Sequence, residues 1–185
     1  MGEPGTKELI SLDELEAAGN LRTGRKHILS ILVENKPGVL TRVAGLFARR
    51  AFNIDTLAVG PTDDETISRI TLTLDGAVHP IDQVTKQLHK LVNVLKIRDL
   101  EPEETLAREL ALFKLACDGA ARAEVMQLCE IFRAKVVDVS RRSLIVEITG
   151  TDDKIEAFER LVRPFGLVEM ARTGEIAIAR GRGET

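Results

Sequence analysis

Two halves of the sequence follow the same order of predicted strands and helices, and this duplication limits the fold more than any other feature. In the first half, apolar residues recur at helical spacing: Leu40, Val43, Ala44 and Phe47. The second half repeats that spacing with Val125, Leu128, Cys129 and Phe132. The two stripes are 85 residues apart, and the strands that follow them, at Ile54 and Val136, are 82 residues apart. The offset between the halves is therefore nearly constant, which predicts a duplicated fold.

Each half is predicted to contain six elements in the order βαββαβ. Apolar runs broken by turn residues predict first-half strands at 27–34, 54–60, 66–74 and 92–100, with helices after the first and third. The second half has predicted strands at 110–117, 135–139, 144–149 and 167–171, and helices at 121–132 and 152–162. Right-handed crossovers place both helices of each half on one face of a four-stranded antiparallel sheet. The predicted fold class is α+β, with two tandem ferredoxin-like βαββαβ domains.

The domain boundaries follow from the repeats and from the charge of the segments between them. We expect an amino-terminal extension at 1–26, a first domain at 27–100, a charged linker at 101–107 and a second domain at 108–185. Ser11 and Glu14 have capping-box spacing, which predicts a short helix at 12–18 that either docks on the protein or belongs to a flexible extension. A last predicted strand, 176–179, either extends the second sheet or pairs with another chain.

The first predicted strand is apolar on both of its faces. Leu29, Ile31 and Val33 alternate with Ile28 and Leu32, a pattern typical of a sheet that is covered on both sides. The helices cover only one face, so another subunit or domain is expected on the other. We therefore predict a homodimer that forms through the first domain.

Composition argues against two classes of partner. The formal charge is −3 and the chain contains no Trp and no Tyr, so it lacks the basic surface and the stacking aromatics of nucleic-acid-binding proteins. No apolar run approaches the roughly 20 residues that cross a bilayer, and no signal sequence is recognisable. We expect no nucleic-acid partner, no membrane contact and a cytoplasmic location.

No motif indicates catalysis or metal binding. Cys117 and Cys129 are too few for a zinc site and are predicted to be small buried core residues. The histidines fit no metal-ligand or nucleophile–base spacing: His27, His79 and His89. No nucleophile elbow or phosphate-binding loop occurs. The sequence therefore favours a binding or regulatory protein with no cofactor, catalytic residue or metal site of its own.

The turn after the first strand is the candidate ligand site. Gly38 precedes a helix, where unpaired N–H groups and the helix dipole favour an anionic group. The side-chain oxygen of Asn35 can accept a hydrogen bond from an ammonium group, while the N–H groups near Gly38 and Val39 hold a carboxylate. Together these groups suit an α-amino acid. The same residues are also typical of a plain tight turn with a helix cap, and their spacing does not separate the two interpretations.

Several segments together resemble one known family. The runs 28–40 (ILSILVENKPGVL), 42–47 (RVAGLF) and 52–57 (FNIDTL) resemble the ACT domain of the small, regulatory subunit of acetolactate synthase (acetohydroxyacid synthase). The resemblance continues through Ser68 and Arg69, 86–91 (KQLHKL), 108–112 (RELAL) and 130–134 (EIFRA). It covers about 27–181 and leaves the amino-terminal extension outside.

The resemblance implies a noncatalytic subunit of branched-chain amino acid biosynthesis. Such a subunit binds a separate catalytic (large) subunit, raises its activity and confers allosteric feedback inhibition by valine or a related amino acid, isoleucine among them. The catalytic partner is expected to use thiamine diphosphate, Mg²⁺ and FAD. In this family, paired ACT domains hold the effector between the turn of one chain and the start of the second strand of the other. The matching effector-binding positions here are Asn35, Lys36, Pro37, Gly38, Val39, Leu40, Asn53 and Ile54.

Two other functions stay open as alternatives. One is a free-standing amino-acid-sensing ACT regulator of transcription, although no helix-turn-helix pattern accompanies the repeats. The other is an ACT-bearing enzyme, although neither half contains a catalytic constellation. For a regulatory subunit, the first domain is expected to bind the effector and the second to contact the partner. Asp118 begins the corresponding turn of the second repeat, where its carboxylate is expected to repel an amino acid and to cap its own helix.

Overall fold

The structure is a computed structural model that describes residues 26–75 and 81–181. The predicted helix at 12–18 lies outside the described residues, as do His79 and the proline that precedes the second helix. Among the described residues, no helix is long and apolar enough to cross a membrane.

The first unit is a four-stranded antiparallel sheet with two helices on one face. Its elements are β1 (Lys26–Glu34), α1 (Val39–Arg49), β2 (Thr56–Pro61), β3 (Ile67–Asp75), α2 (Ile81–Leu88) and β4 (Val94–Leu100). The strand order is β2-β3-β1-β4, so β1 and β3 lie inside and β2 and β4 form the edges. The core beneath the helices is aliphatic apart from Phe47, and Phe52 packs edge-on against that ring.

The second unit repeats this topology. Its elements are β5 (Thr105–Leu115), α3 (Gly119–Phe132), β6 (Lys135–Val139), β7 (Leu144–Gly150), α4 (Asp152–Val162), β8 (Leu167–Arg172) and β9 (Ile176–Ala179). The strand order β6-β7-β5-β8 matches that of the first unit, with β9 added beside β5. The predicted α+β class with two tandem ferredoxin-like units is confirmed.

The buried stripe of α1 differs from the predicted one. Val39, Val43, Leu46 and Phe47 face the core. Leu40 is 43% exposed and Ala44 is also exposed, so their assignment to the stripe was wrong. The helix begins at Val39, and its rotation brings Val39 and Leu46 inward instead. Leu40 is thereby left at the surface beside the turn that precedes the helix.

A two-stranded arm covers part of the first sheet; its strand at 176–179 was predicted, but its pairing with 105–108 was not. Residues 105–108 of β5 pair with β9, from Thr105 opposite Ala179 to Arg108 opposite Ile176, and we call these two segments the arm. Ala177 of the arm is buried against Ile28 and Leu100 of the first sheet. Strand β9 therefore pairs with its own chain, and part of the second face of β1 is covered from within the chain. The two-sided apolar pattern of β1 does not by itself require a second subunit.

An ionic cluster joins the start of β1 to the second unit. Lys26 Nζ lies 2.7 Å from Asp152 Oδ2 and 3.1 Å from Glu175 Oε2. Arg172 reaches Asp152 Oδ1 at 2.5 Å through Nη2 and donates to Glu109 Oε1 at 3.0 Å through Nε, with a second contact to Glu109 Oε2. Glu109 and Glu175 are buried. We call these five residues the junction cluster.

Contacts within the junction cluster favour the charged forms of Lys26, Asp152 and Arg172. Burial by itself raises the pKa of Asp152, but hydrogen bonds from Lys26 and Arg172 outweigh it and hold that pKa below its usual range. Burial likewise disfavours the charged form of Lys26, yet Asp152 and Glu175 raise its pKa overall. Hydrogen bonding to Glu109 is the largest cause of the raised pKa of Arg172. Lys26, Asp152 and Arg172 are therefore charged at neutral pH.

Candidate functional site

The turn between β1 and α1 is anchored to the β2–β3 loop by Asn35. The backbone N–H of Asn35 donates to the Thr66 carbonyl at 2.7 Å, and its side-chain Nδ2 donates to the Glu65 carbonyl at 2.9 Å. These two bonds fix the orientation of the amide group. Asn35 Oδ1 has no partner among the described residues, so it is available to accept a hydrogen bond from a ligand.

Gly38 occupies the N-cap position of α1 in the left-handed conformation, with φ 82°. A side chain is strained at this φ, whereas glycine adopts it without cost, which explains the residue type. An added Cβ at Gly38 would meet no atom within 4 Å, so the space above the turn is open. No side chain among the described residues caps the helix.

The amide groups around Gly38 are only partly used by the turn. The Val39 N–H donates to the Lys36 carbonyl at 3.3 Å, and the Arg42 N–H donates to the Gly38 carbonyl at 3.1 Å. The N–H groups of Gly38 and Leu40 have no acceptor among the described residues. They remain free to bind an anionic group where the helix dipole favours one.

Charged side chains surround the turn. Glu34 accepts hydrogen bonds from Asn93 Nδ2 at 2.5 Å and from Lys36 Nζ at 3.1 Å. The bond from Asn93, and then that from Lys36, hold the pKa of the Glu34 carboxyl below its usual range. Arg42 Nη1 in turn donates to Asn93 Oδ1 at 2.5 Å. The chain Glu34–Asn93–Arg42 fixes a guanidinium one helical turn after Gly38.

Sequence reasoning missed Asn93 and Arg42. Antiparallel pairing of β1 with β4 brings Asn93 beside Glu34, since the Glu34 N–H donates to the Asn93 carbonyl at 3.0 Å. No sequence spacing relates positions 59 residues apart. Arg42 could have been found, because a cation on the turn of the helix that follows the glycine adds to the positive field there.

Within one chain, the structure separates the predicted site residues into two groups. Asn35, Lys36, Pro37, Gly38, Val39 and Leu40 lie at the amino-terminal end of α1, and all but Val39 are exposed. Asn53 and Ile54 follow the other end of this 11-residue helix, about 16 Å away along its axis. Asn53 Nδ2 donates to Asp55 Oδ1 at 3.2 Å, and Ile54 packs against the first core. One chain alone does not bring the two groups together.

Strand β2, which follows Asn53 and Ile54, is an edge strand with exposed apolar side chains. Within the described residues it pairs with β3 alone, and Leu57 and Val59 are 37% and 48% exposed. An edge that is apolar and bears no charge is a surface on which a second strand can pair.

The corresponding turn of the second unit has different chemistry. Asp118 occupies the N-cap position of α3 with an extended backbone, φ −118°. Its carbonyl accepts the Arg122 N–H at 2.9 Å, but its side chain makes no capping hydrogen bond. The prediction that its carboxylate caps the helix was wrong, although its negative charge does stand at the helix start.

Comparison with known proteins places both units in one family. Residues 29–96 match the family model described as AHAS small subunit-like ACT domain, and residues 108–181 match that described as small subunit of acetolactate synthase. The chain belongs to the acetolactate synthase small-subunit family. The first unit is accordingly its ACT domain, and the second is the carboxy-terminal domain of the family.

Individual relatives agree with this assignment. The chain is 48% identical over 155 residues to the acetolactate synthase small subunit of Mycolicibacterium smegmatis. The match covers 84% of this chain and 91% of the relative. The chain is 50% identical over 155 residues to the small subunit of Mycobacterium leprae, covering 84% and 92%. The crystal structure of the small subunit of Thermotoga maritima is similar to this one, with a TM-score of 0.79, 44% identity and 86% and 99% of the two chains covered.

The two cysteines of this small-subunit chain are core residues, as predicted. Cys117 and Cys129 are both free and buried in the second unit. Burial, and then the neighbouring Cys117, raise the pKa of the Cys129 thiol. A thiol with a raised pKa carries little thiolate at neutral pH and is a poor nucleophile. In the described ranges, no three His, Cys, Asp or Glu side chains are grouped so that they could hold a metal ion.

Proposed function

We propose that this chain is a noncatalytic subunit that activates the catalytic subunit of acetolactate synthase and makes it sensitive to a branched-chain amino acid, with valine as the expected effector. The observation that carries the proposal is the uncapped start of α1 at Gly38 beside the free side-chain oxygen of Asn35. The N–H groups donate hydrogen bonds to the effector carboxylate, and Asn35 Oδ1 accepts one from its ammonium.

The effector site requires two chains. Asn53 and Ile54 lie at the opposite end of α1 from Gly38, so they reach an effector at Gly38 only from a partner related by a two-fold axis. Pairing of two β2 edges provides such an axis and also covers Leu57 and Val59. A homodimer formed through the first unit therefore completes the site.

The two units divide the work. Residues 27–100 bind the effector and dimerise, while residues 108–185 contact the catalytic subunit. Asp118 supports this division, because its carboxylate disfavours a second carboxylate at the start of α3. The chemistry belongs to the partner, which binds thiamine diphosphate, Mg²⁺ and FAD.

Reconstitution tests the proposal directly. The purified chain alone should form no acetolactate, and its addition should raise the turnover of the cognate catalytic subunit. Valine should then lower the turnover of the mixture but not that of the catalytic subunit alone. Turnover by this chain in isolation, or a mixture that valine leaves unaffected, would contradict the proposal.

Sedimentation tests the dimer. Val59→Lys places a charge on the β2 edge and should raise the dimer dissociation constant together with the valine concentration needed for inhibition. A matched control is Val137→Lys, at a 52% exposed position on the β6 edge of the second unit, which should leave both values unchanged. A wild-type chain that stays monomeric at every concentration would remove the two-chain site.

A further inference from the structure

A second cleft lies between the first sheet and the arm, away from the turn at Gly38. Its volume is about 330 Å³, within the range of about 300–1,000 Å³ that is typical of small-molecule sites. The arm contributes the apolar wall through Leu106, Ile176 and Ile178, which are 36%, 63% and 51% exposed. These side chains are open to an apolar group that enters the cleft.

A glycine of β2 makes room for a ligand on the opposite wall. Gly60 lines the cleft and pairs in register with Arg69 of β3, so a side chain at Gly60 would project from the same face as that of Arg69. An added Cβ at Gly60 would meet no atom within 4 Å. The absence of a side chain here leaves open space next to Arg69 on this wall of the cleft.

Two guanidinium groups line the cleft without a carboxylate partner. Arg69 Nη1 donates to Ser30 Oγ at 3.3 Å, and Arg108 Nη1 donates to the Ala107 carbonyl at 2.7 Å. Neither forms an ion pair with any described residue, and no acidic side chain lines the cleft. The site therefore offers positive charge and apolar surface but no acidic side chain to pair with a ligand cation.

We propose that this cleft binds an aliphatic carboxylate that lacks an ammonium group, such as a branched-chain 2-oxo acid or a branched fatty acid. The carboxylate pairs with Arg69 and Arg108, and the alkyl chain lies against Leu106, Ile176 and Ile178. An α-amino acid is disfavoured because its ammonium would lie near two guanidinium groups with no carboxylate to balance it. This selectivity is opposite to that of the turn at Gly38.

Calorimetric titration of the full chain tests the site with three probes that share one carbon skeleton: 4-methylpentanoate, 4-methyl-2-oxopentanoate and leucine. The titrations are made on the Gly38→Asp variant, in which the proposed amino-acid site is disabled, so the two proposals can fail separately. The first two probes should bind saturably and compete with each other, and leucine should bind at least about tenfold more weakly. Tighter binding of the oxo acid identifies the oxo-acid class, and equal binding identifies a general aliphatic carboxylate site. Leucine binding as tight as that of the two anions would overturn the proposal.

Substitutions in the cleft locate the binding. Arg69→Gln and Arg108→Gln should each weaken both anions about tenfold, the loss of one hydrogen bond to a charged group. Gly60→Leu should abolish binding by filling the cleft, with the circular dichroism spectrum as a check of folding. Arg142→Gln, at an exposed position in the β6–β7 turn, is the matched control and should bind as the parent does.

Other occupants of the cleft give different results. If a second copy of the chain fills it, Arg69→Gln and Arg108→Gln will change the dimer dissociation constant and no anion will bind saturably. If the anions bind elsewhere, the three substitutions will leave their affinity unchanged. Either result would overturn the proposal.

Discussion

The starts of α1 and α3 occupy the same position in two copies of one topology, yet they offer opposite charges to a ligand. Gly38 is left-handed, bears no side chain and has open space above it. Asp118 is extended and brings a carboxylate to the same N-cap position. Strand order is retained between the units, whereas the N-cap residue differs, and we expect this residue to decide whether the helix start can accept an anion. The two units therefore share a scaffold and differ in this turn.

The residues at the entry to the second strand of each unit also differ in charge. With the 82-residue offset between the repeats at this point, Lys135 is the residue equivalent to Asn53. An amide can contribute an oxygen to an ammonium group, whereas a lysine repels it. The second unit thus opposes both ends of an amino acid at the positions where the first unit is expected to bind them.

The largest expected effect on regulation is the loss of feedback at Gly38. Gly38→Asp gives the first unit the charge of the second and forces an aspartate into the left-handed region, at a cost of about 1–2 kcal/mol. The valine concentration needed for half inhibition should rise by about 100-fold or more, which corresponds to about 2.7 kcal/mol. Activation of the catalytic subunit should remain. The matched control is Gly119→Asp, at the start of α3. Inhibition of Gly38→Asp at the valine concentration that inhibits the wild type would place the effector elsewhere.

The next prediction concerns the free energy of unfolding and compares a buried ion pair with an exposed one. Arg172→Met leaves the carboxylate of Glu109, whose side chain is 1% exposed, without its cation. The free energy of unfolding should fall by about 3–5 kcal/mol. Lys36→Met breaks the pair with Glu34, in which the two side chains are 64% and 33% exposed, and should cost less than about 1 kcal/mol. Equal losses in urea denaturation would contradict this contrast between the junction cluster and the turn.

A smaller effect is expected at Asn53. Asn53→Ala should weaken valine inhibition by at most about 1.5–3 kcal/mol, the value of a hydrogen bond to a charged group. Inhibition curves of the reconstituted enzyme measure the shift. Lys135→Ala in the second unit is the control and should leave the curve in place. A shift with Lys135→Ala but not with Asn53→Ala would reverse the roles of the two units.

The smallest effect concerns pH. The lowered pKa of Asp152 means that its ion pairs stabilise the folded chain above the usual aspartate pKa of 3.8, and that this stability is lost as the pH falls through the lower folded value. Asp152→Asn should therefore cost about 1 kcal/mol at neutral pH, after allowance for solvent screening. The difference from wild type should shrink in denaturation curves measured below pH 3.8. A difference that stays constant with pH would show that the carboxylate charge is not involved.

Local patterns predicted most of the fold. The periodicity and turn residues that define β6, α4 and β9 are short-range, and these elements have the predicted bounds, Lys135–Val139, Asp152–Val162 and Ile176–Ala179. Residues 105–108 were predicted to be linker and the start of the second domain, because they follow the charged run Glu101-Pro102-Glu103-Glu104. They form a strand because they pair with β9, which is distant in sequence. Only tertiary contact supplies that partner.

In the candidate site, too, local features were predicted and contacts between distant residues were not. The turn from Asn35 to Gly38 was found because its chemistry lies within four consecutive residues. Asn93 and the junction cluster were missed because their partners are distant in sequence. Glu109 and Arg172 resemble solvated surface charges in the sequence, and only the packing of β5 beside β8 buries Glu109 next to its cation.

Strand β5 bonds to β9 over the first sheet and then to β7 and β8 inside the second. Its 11 residues span about 36 Å without interruption. The duplicated units are thus joined by one continuous strand that is paired in both sheets. A tilt of the second sheet would carry the arm with it and change its packing against Ile28 and Leu100.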